Sequence, residues 1–505
     1  MKPLEAVIGQ WTHKSFDGFL RFLKARGGRK GVLDLSLAKS IRRGDFSADD
    51  FVLMAYGKLD NKTRAAYHGV RKRLAQQTVR YISEELLNEE QEAEKEIFES
   101  IRASRYLAKN GHSEWANSLL QRADRLSEQS SMTFMQNWVL NERIAMAGEE
   151  DEAAVLALEE ERKLKIAEVE LEQRMMMART HLQVRLRERK KSGQASSPMS
   201  ILQNTLLEYD LLDDEVNKPK LMHQLTVMMR AVLVASKEFD ELRAFLYAQN
   251  ELITAAGGYE GDEQQVEMAY FLAHADYRCR KYDLALKRMP ELYQLINSLQ
   301  VSRRYFWFSK AVLLEAQTRN FSGQLLKAQE LLLEMLSHPA FSGVSKERYN
   351  LILNLAVLYF QLGFFDKVLE TFKLFRHRTQ WHIEYMGLEW VLKKQMIEVI
   401  ALVELHEDQR AMEGIQKIQS LSEEFFSQRP YRRVLLFLEW VQRYLSNREA
   451  FAGPIILDRL VKSLAVQSDR REDLQAVAYY TWLKSKAEGR SYYELLLEMV
   501  RGAEV

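Results

Sequence analysis

Arg64, Arg71, Lys72, Arg73 and Arg80 crowd one stretch of this 505-residue chain, within residues 61–83. Arg64 and Arg71 are seven apart, so on a helix they share a face. Guanidinium and ammonium groups so placed can neutralise phosphates, and such binding would weaken as salt rises. The bland reading stands beside this one. Residues 84–100 carry eight Glu against the single Lys95, and the basic face would dock there or stay solvated. No clear helix-turn-helix signature accompanies the cations.

Other residues that could do chemistry are sparse. Gly27-Gly28-Arg29-Lys30-Gly31 holds glycine and lysine but lacks the spacing of a phosphate loop and the Ser/Thr after Lys. It reads as a turn between helices. His377 and His382 are five apart, which does not place two ligands on one helical face. No HExxH, Cys-based metal motif or Gly-x-Ser-x-Gly elbow occurs. The lone Cys279 has no partner for a disulfide or a metal site, and its position reads as small and buried. The expectation is a protein without catalytic residues, metal or cofactor.

The elements that must carry these residues are helices. Proline makes up seven of 505 residues, against an average usage of roughly 5 %. Helix interiors exclude proline because it lacks the N–H and clashes with the preceding turn. Leu, Ala, Glu, Lys, Arg and Gln dominate, and they are strong helix formers. No sustained alternation of Val, Ile, Thr and Tyr appears. The class is all-α. A single core rarely grows past about 250–300 residues, so an elongated array is expected. The net charge of +1 names no partner. The N-terminus lacks an apolar signal core, and no run approaches the roughly 18 apolar residues of a membrane span. With one cysteine, the chain reads as cytoplasmic and unattached to membrane.

Three regions are expected. Residues 1–90 form a basic helical module with helices at 15–26, 33–43, 47–57 and 61–83; residues 1–80 carry 17 Lys/Arg and 7 Asp/Glu. Ser47 is a good N-cap, with Asp50 three residues on. Residues 91–192 hold helices at about 97–110, 113–128 and 131–147, then a long charged helix over 151–191. Ser192 to Met199 is the best linker, combining Gly, Ser and Pro. Residues 200–505 are the regular array. There an aromatic followed by a capping residue recurs at Phe239-Asp240, Tyr282-Asp283, Phe321-Ser322 and Phe365-Asp366, at spacings of 43, 39 and 44 residues. Weaker echoes fall at Asp408 and Asn447. A period near 40 on helical sequence marks stacked helix pairs, an α-solenoid. Pro290 should kink or shorten its helix.

The clearest copy spans 349–376. Leu355-Ala356-x-x-Tyr359, then Val368 and Phe372, resembles the tetratricopeptide pattern L-G-x-x-Y…A-x-x-x-F. Leu272-Ala273 with Tyr282-Asp283, Ala285 and Met289 is a second copy, with Asp276 where the large Tyr belongs. Leu233, Phe239-Asp240, Leu242 and Leu246 form a third. The terminal Pro is missing from the best copy, and the period is about 41 rather than 34. The chain also resembles a group of uncharacterised bacterial proteins of about 500 residues. That likeness rests on Tyr480-Thr481-Trp482-Leu483-Lys484-Ser485-Lys486, on Gly489-Arg490-Ser491-Tyr492, and on the basic helix from Asn61 through Leu74. It implies architecture and no activity.

The tetratricopeptide resemblance implies a groove lined by first helices. Mapped onto this chain, its ligand positions are Tyr270, His274, Tyr277 and Arg278 in one repeat and Asn350, Leu353, Phe360 and Gln361 in the best one. An aromatic-polar mixture suits a protein or peptide. The Lys/Asn/Arg clamp of chaperone-binding members is not reproduced. The expected function is an interaction scaffold. The rival is a nucleic-acid-binding regulator, a basic module ahead of a tetratricopeptide-like sensor, which is a known bacterial plan. Arg303-Arg304-Tyr305-Phe306-Trp307-Phe308 and Trp381, Tyr385 and Trp390 read as core.

Overall fold

A computed structural model describes residues 3–11, 13–26, 31–43, 47–86, 92–130, 132–147, 152–192, 197–211, 219–259, 261–341, 345–375, 377–421, 429–464 and 474–501. Among them are 25 α-helices and no strand. The helices pack on their sequence neighbours, as a helical-repeat solenoid does.

The basic module comprises α1 (Pro3–Gln10), α2 (His13–Arg26), α3 (Gly31–Arg43), α4 (Ala48–Tyr56) and α5 (Asn61–Tyr81). Its core joins Ile8, Phe19, Leu37, Phe51 and Leu74. Ser47 caps α4 by accepting the Asp50 N–H at 3.1 Å. On α5, Thr63, Tyr67, Val70, Leu74, Thr78 and Tyr81 are buried, a stripe spaced by three and four. The cations fall beside that stripe. Tyr81 donates its hydroxyl to the Ser15 carbonyl at 2.8 Å. Gly18 lets this happen, since a Cβ there would strike that hydroxyl.

Next come α6 (Glu92–Lys109), α7 (Ser113–Gln129), α8 (Thr133–Met146) and the 41-residue α9 (Glu152–Ser192). The seam of α9 is Leu171, Met175, Ala178 and Leu182, which packs on Leu202, Leu211, Met228 and Val232. Packing therefore continues across the linker, whose residues 193–196 lie outside the described ones. Arg185 at the basic end of α9 bonds Thr205 at 2.9 Å and Glu208 at 2.7 Å.

The array follows α10 (Pro198–Glu208). Its pairs are α11 (Pro219–Ser236) with α12 (Phe239–Ala255), α13 (Asp262–Arg278) with α14 (Tyr282–Ser298), and α15 (Val301–Phe321) with α16 (Leu325–Ser337). Then come α17 (Lys346–Gln361) with α18 (Phe365–Phe372), the short α19 (Thr379–Met386), and α20 (Leu388–Glu404) with α21 (Asp408–Gln419). Five pair turns share one backbone. Lys237, Arg280, Gly323, Gly363 and His406 are all left-handed, with φ from 58° to 90°. The next N–H in each case reaches back five residues, as from Phe364 to the Tyr359 carbonyl at 2.9 Å. This is a Schellman closure, which satisfies carbonyls left over at a helix end.

The turns correct three readings of the sequence. The third turn is Gly323, so Leu325 and not Ser322 opens the second helix. Second helices then start 43, 43, 40 and 43 residues apart, at Phe239, Tyr282, Leu325, Phe365 and Asp408. Phe321 ends α15 and stacks on Tyr282 at 6.4 Å. The acidic residues Asp240, Asp283 and Asp366 are the second residues of their helices, and the capping positions before them make no side-chain cap bond. Their carboxylates favour the helix dipole instead. Asn447 opens no helix; its side chain accepts the Ala450 N–H at 3.0 Å in a turn. Pro290 sits inside α14, which runs on for its full 17 residues.

The degenerate position of the second copy has a structural role. Asp276 is fully buried and accepts from Arg243 at 2.6 Å, Arg288 at 2.9 Å and the Tyr247 hydroxyl at 2.9 Å. One carboxylate thus ties α12, α13 and α14 together.

First helices touch across pairs, α13 with α15, α15 with α17 and α17 with α20, so they form the inner layer. After α22 (Arg429–Ser446) and α23 (Pro454–Leu464), the chain ends in a helical hairpin, α24 (Leu474–Glu488) and α25 (Tyr492–Arg501). The hairpin folds back onto that inner layer. Val477, Leu496 and Val500 join the core of α13 to α15, while Trp482 and Leu483 join that of α17 to α22. Burial of each such side chain is worth about 1.5–3 kcal/mol. Among the described residues no helix is long and apolar enough to cross a membrane.

Candidate binding cleft

The returning hairpin is fixed by polar bonds as well as by apolar burial. Arg280, 220 residues earlier, donates to the Val500 carbonyl at 2.6 Å. A cation at the end of α25 meets the negative pole of its dipole. Tyr493 donates to the Asn320 carbonyl at 2.6 Å, Tyr479 to the Lys393 carbonyl at 3.3 Å, and Trp482 to Glu404 at 2.6 Å. Lys486 reaches the same Glu404 at 2.8 Å. The hairpin therefore contacts α15 and α20 directly and the turn that follows α13.

Between hairpin and inner layer lies a cavity of about 280 Å³. His274, Tyr277 and Arg278 contribute from α13, and Gln317, Asn320 and Phe321 from α15. Asn354, Val357, Phe360 and Gln361 come from α17, and Lys393, Ile397 and Ile400 from α20. Ala478, Tyr479, Trp482 and Tyr492 close it from the hairpin. The lining obeys one ruler. Counting back from each left-handed turn residue, position −6 is His274, Gln317, Val357 and Ile400; position −3 is Tyr277, Asn320 and Phe360; position −2 is Arg278, Phe321 and Gln361.

Five of the eight groove residues expected from the sequence thus meet in one place: His274, Tyr277, Arg278, Phe360 and Gln361. Tyr270 lies one turn away, stacked on His274 at 6.1 Å and edge-on to Trp307 at 5.8 Å. Asn350 offers its carbonyl to Asn354 at 2.8 Å. Leu353 is 1 % exposed and belongs to the core. The part of α17 that meets the cavity carries Asn354, Val357 and Phe360–Gln361, whereas Leu353 packs inside the core. Sequence reasoning missed Gln317 and Asn320 because the third turn was misplaced. The ruler from Gly323 would have found both.

Burial shapes the charge here. His274 is held neutral, its pKa pushed down to about 3 by burial and then by Arg230 and Arg278. On the same face of α13, burial pulls Glu267 above the usual carboxylate range, although Arg179, Lys310 and Arg230 oppose it. Burial lowers Lys310, which sits over the rings of Phe306 at 4.2 Å and Trp307 at 4.7 Å. His223 is pushed down to about 4 by burial and by Arg179. Cys279 is buried, and its thiol donates to the Phe239 carbonyl at 3.1 Å.

The basic helix looks different. Arg64 pairs with Asp49 at 3.3 Å, Arg71 with Glu5 at 2.9 Å and Arg73 with Asp34 at 3.0 Å. Lys72 and Arg80 are exposed. The acidic stretch meets the module through Glu84, which pairs with Arg26 of α2 at 2.7 Å. The stretch's residues 87–91 lie outside the described ones. His377 stacks on Trp381 at 4.0 Å, and its ring lies 6.3 Å from that of the buried His382. Among the described residues, no three of His, Cys, Asp and Glu come together as a metal set.

No protein-family model matches the chain, and no curated protein matches it.

Proposed function

We propose that this protein is a non-catalytic scaffold that holds a protein or peptide partner along the inner layer of a tetratricopeptide-like array. The observation that carries the reading is the seat of α24 and α25. The inner layer already binds a pair of helices, by apolar anchors such as Trp482, by the bond from Arg280 to the Val500 carbonyl and by bonds from Tyr479 and Tyr493 to array backbone. A partner helix would use the same chemistry on first-helix faces. Lys310 with its aromatic neighbours, next to Tyr270, extends that surface towards α11. The low cysteine content fits a cytoplasmic setting. The test is cross-linking and affinity purification from native cells with the wild type and with Lys310→Glu. A reproducible protein partner that the variant loses supports the scaffold; no reproducible partner refutes it.

The nucleic-acid reading has less support. Three of its five cations are matched by carboxylates inside the module, which leaves Lys72 and Arg80 to face phosphate. Two phosphate contacts give a shallow salt dependence, with a slope near −2. Titration of the full chain with duplex DNA at two salt concentrations checks this. Salt-dependent binding lost in Lys72→Ala/Arg80→Ala would favour the regulator over the scaffold.

A further inference from the structure

The cavity under the hairpin has the size and lining of a small-molecule site. An engineered 150 Å³ cavity holds benzene, with six non-hydrogen atoms. By proportion, about 280 Å³ holds about eleven. Tyr277, Phe321, Phe360, Tyr492 and Trp482 supply the walls, and flat rings favour a flat guest. Phe360 and Tyr492 pack edge-on against each other in its wall, with ring centroids 5.4 Å apart.

The polar lining sets the guest's chemistry. Asn320 is 4 % exposed and Gln361 is 7 % exposed. Asn320 Oδ1 and Gln361 Oε1 are buried acceptors with no hydrogen-bond partner among the described residues, although the other end of the Gln361 amide reaches Tyr492; His274 Nδ1 is likewise unpartnered. A buried acceptor left unpaired carries its desolvation cost in full, and N–H donors on a guest would relieve that cost at Asn320 and Gln361. Among the described residues that line it, Arg278 and Lys393 carry charge and no carboxylate does. A cationic guest is therefore disfavoured. A second cavity of about 300 Å³, between Tyr293, Tyr305, Phe308, Met335 and Phe341, brings together no such set of unpartnered acceptors.

We propose that the cavity between α13, α15, α17, α20 and the C-terminal hairpin is a binding site for a neutral, purine-sized planar heteroaromatic carrying N–H donors. Asn320 and Gln361 accept from its ring N–H or exocyclic amine, and the aromatic walls stack on its faces. The site stands whether or not a protein partner binds elsewhere on the inner layer. Because α24 and α25 form one wall, the bound guest also holds the hairpin down.

Calorimetric titration of the full chain with adenine tests this, with indole and agmatine as contrasts. Indole is flat with one donor; agmatine is donor-rich but cationic. The expected result is saturable one-to-one binding of adenine, at least tenfold tighter than either contrast. Asn320→Leu and Gln361→Leu should each weaken it about 3–10-fold, the loss of one neutral hydrogen bond. Ala478→Phe, which fills the cavity from the hairpin side, should abolish it. Adenine should also slow amide exchange in residues 474–501. Circular dichroism and melting confirm that each variant folds, and Gln361→Leu and Ala478→Phe suffice if Asn320→Leu does not. Absence of saturable adenine binding overturns the proposal. So does adenine affinity unchanged in folded Gln361→Leu and Ala478→Phe, or indole or agmatine binding as tightly as adenine.

Discussion

The basic helix α5 and helix α13 are both rich in charge, yet they use it in opposite ways. On α5 the cations sit beside the buried stripe, and Arg64 and Asp49 are each about half exposed (51 % and 54 %) where they pair. On α13 the charged groups are enclosed: Asp276 is fully buried beneath two guanidiniums, and Glu267 and His274 are shifted by burial. A run of charge in a sequence therefore measures neither what a ligand can reach nor what the fold depends on. Solvent-screened pairs can be exchanged at little cost, whereas enclosed charge is fixed by the packing around it.

The sharpest way to break this comparison is Asp276→Ala. It strands Arg243, Arg288 and the Tyr247 hydroxyl, and removing one partner of a buried ion pair costs about 3–5 kcal/mol. Urea denaturation should show that loss; a loss under 1 kcal/mol would place Asp276 on the same footing as the α5 pairs.

Acid should act on the array next. His223, His274 and His382 are pushed by burial to about 4, 3 and 4 in the fold. Their unfolded value is about 6.5, so between these limits the unfolded chain binds more protons. Stability is full above pH 6.5 and is lost as pH falls towards 4, by up to about 1.4 kcal/mol per pH unit for each histidine. Melting at pH 7 and pH 5 checks the sign. A melting temperature that rises on acidification would contradict it.

Smaller effects sharpen the other side of the comparison. Arg64→Ala should cost less than about 1 kcal/mol, since its pair with Asp49 is exposed. Lys237→Gly should stabilise the array by up to about 1 kcal/mol. Lys237 is exposed and left-handed at φ 62°, a conformation that costs a residue with a Cβ roughly 1–2 kcal/mol, partly offset by glycine's entropy.

Much of the fold was legible locally. The helices expected at 33–43 and over 151–191 are observed at Gly31–Arg43 and Glu152–Ser192, because apolar spacing and helix-forming residues act over short range. The repeat register was legible only in part. What recurs at the turns is a left-handed backbone, occupied by Lys, Arg, Gly, Gly and His in succession. Residue type hides it, so Phe321-Ser322 imitates the punctuation that Gly323 supplies. The cleft was half legible, since His274 and Phe360 could be placed by analogy with first helices. Its other wall was not. Arg280 and Val500 are 220 residues apart, and a contact at that distance leaves no periodic trace in either segment.

The seat of the hairpin on the inner layer is the central claim, and photo-crosslinking tests it most directly. A benzophenone amino acid replaces Tyr493, whose hydroxyl bonds the Asn320 carbonyl at 2.6 Å. After irradiation of the full chain, crosslinks are mapped by mass spectrometry. The account predicts intramolecular crosslinks to the end of α15 and to neighbouring first helices within residues 262–404. Crosslinks confined to residues 3–192, or formed only between separate chains, would contradict it.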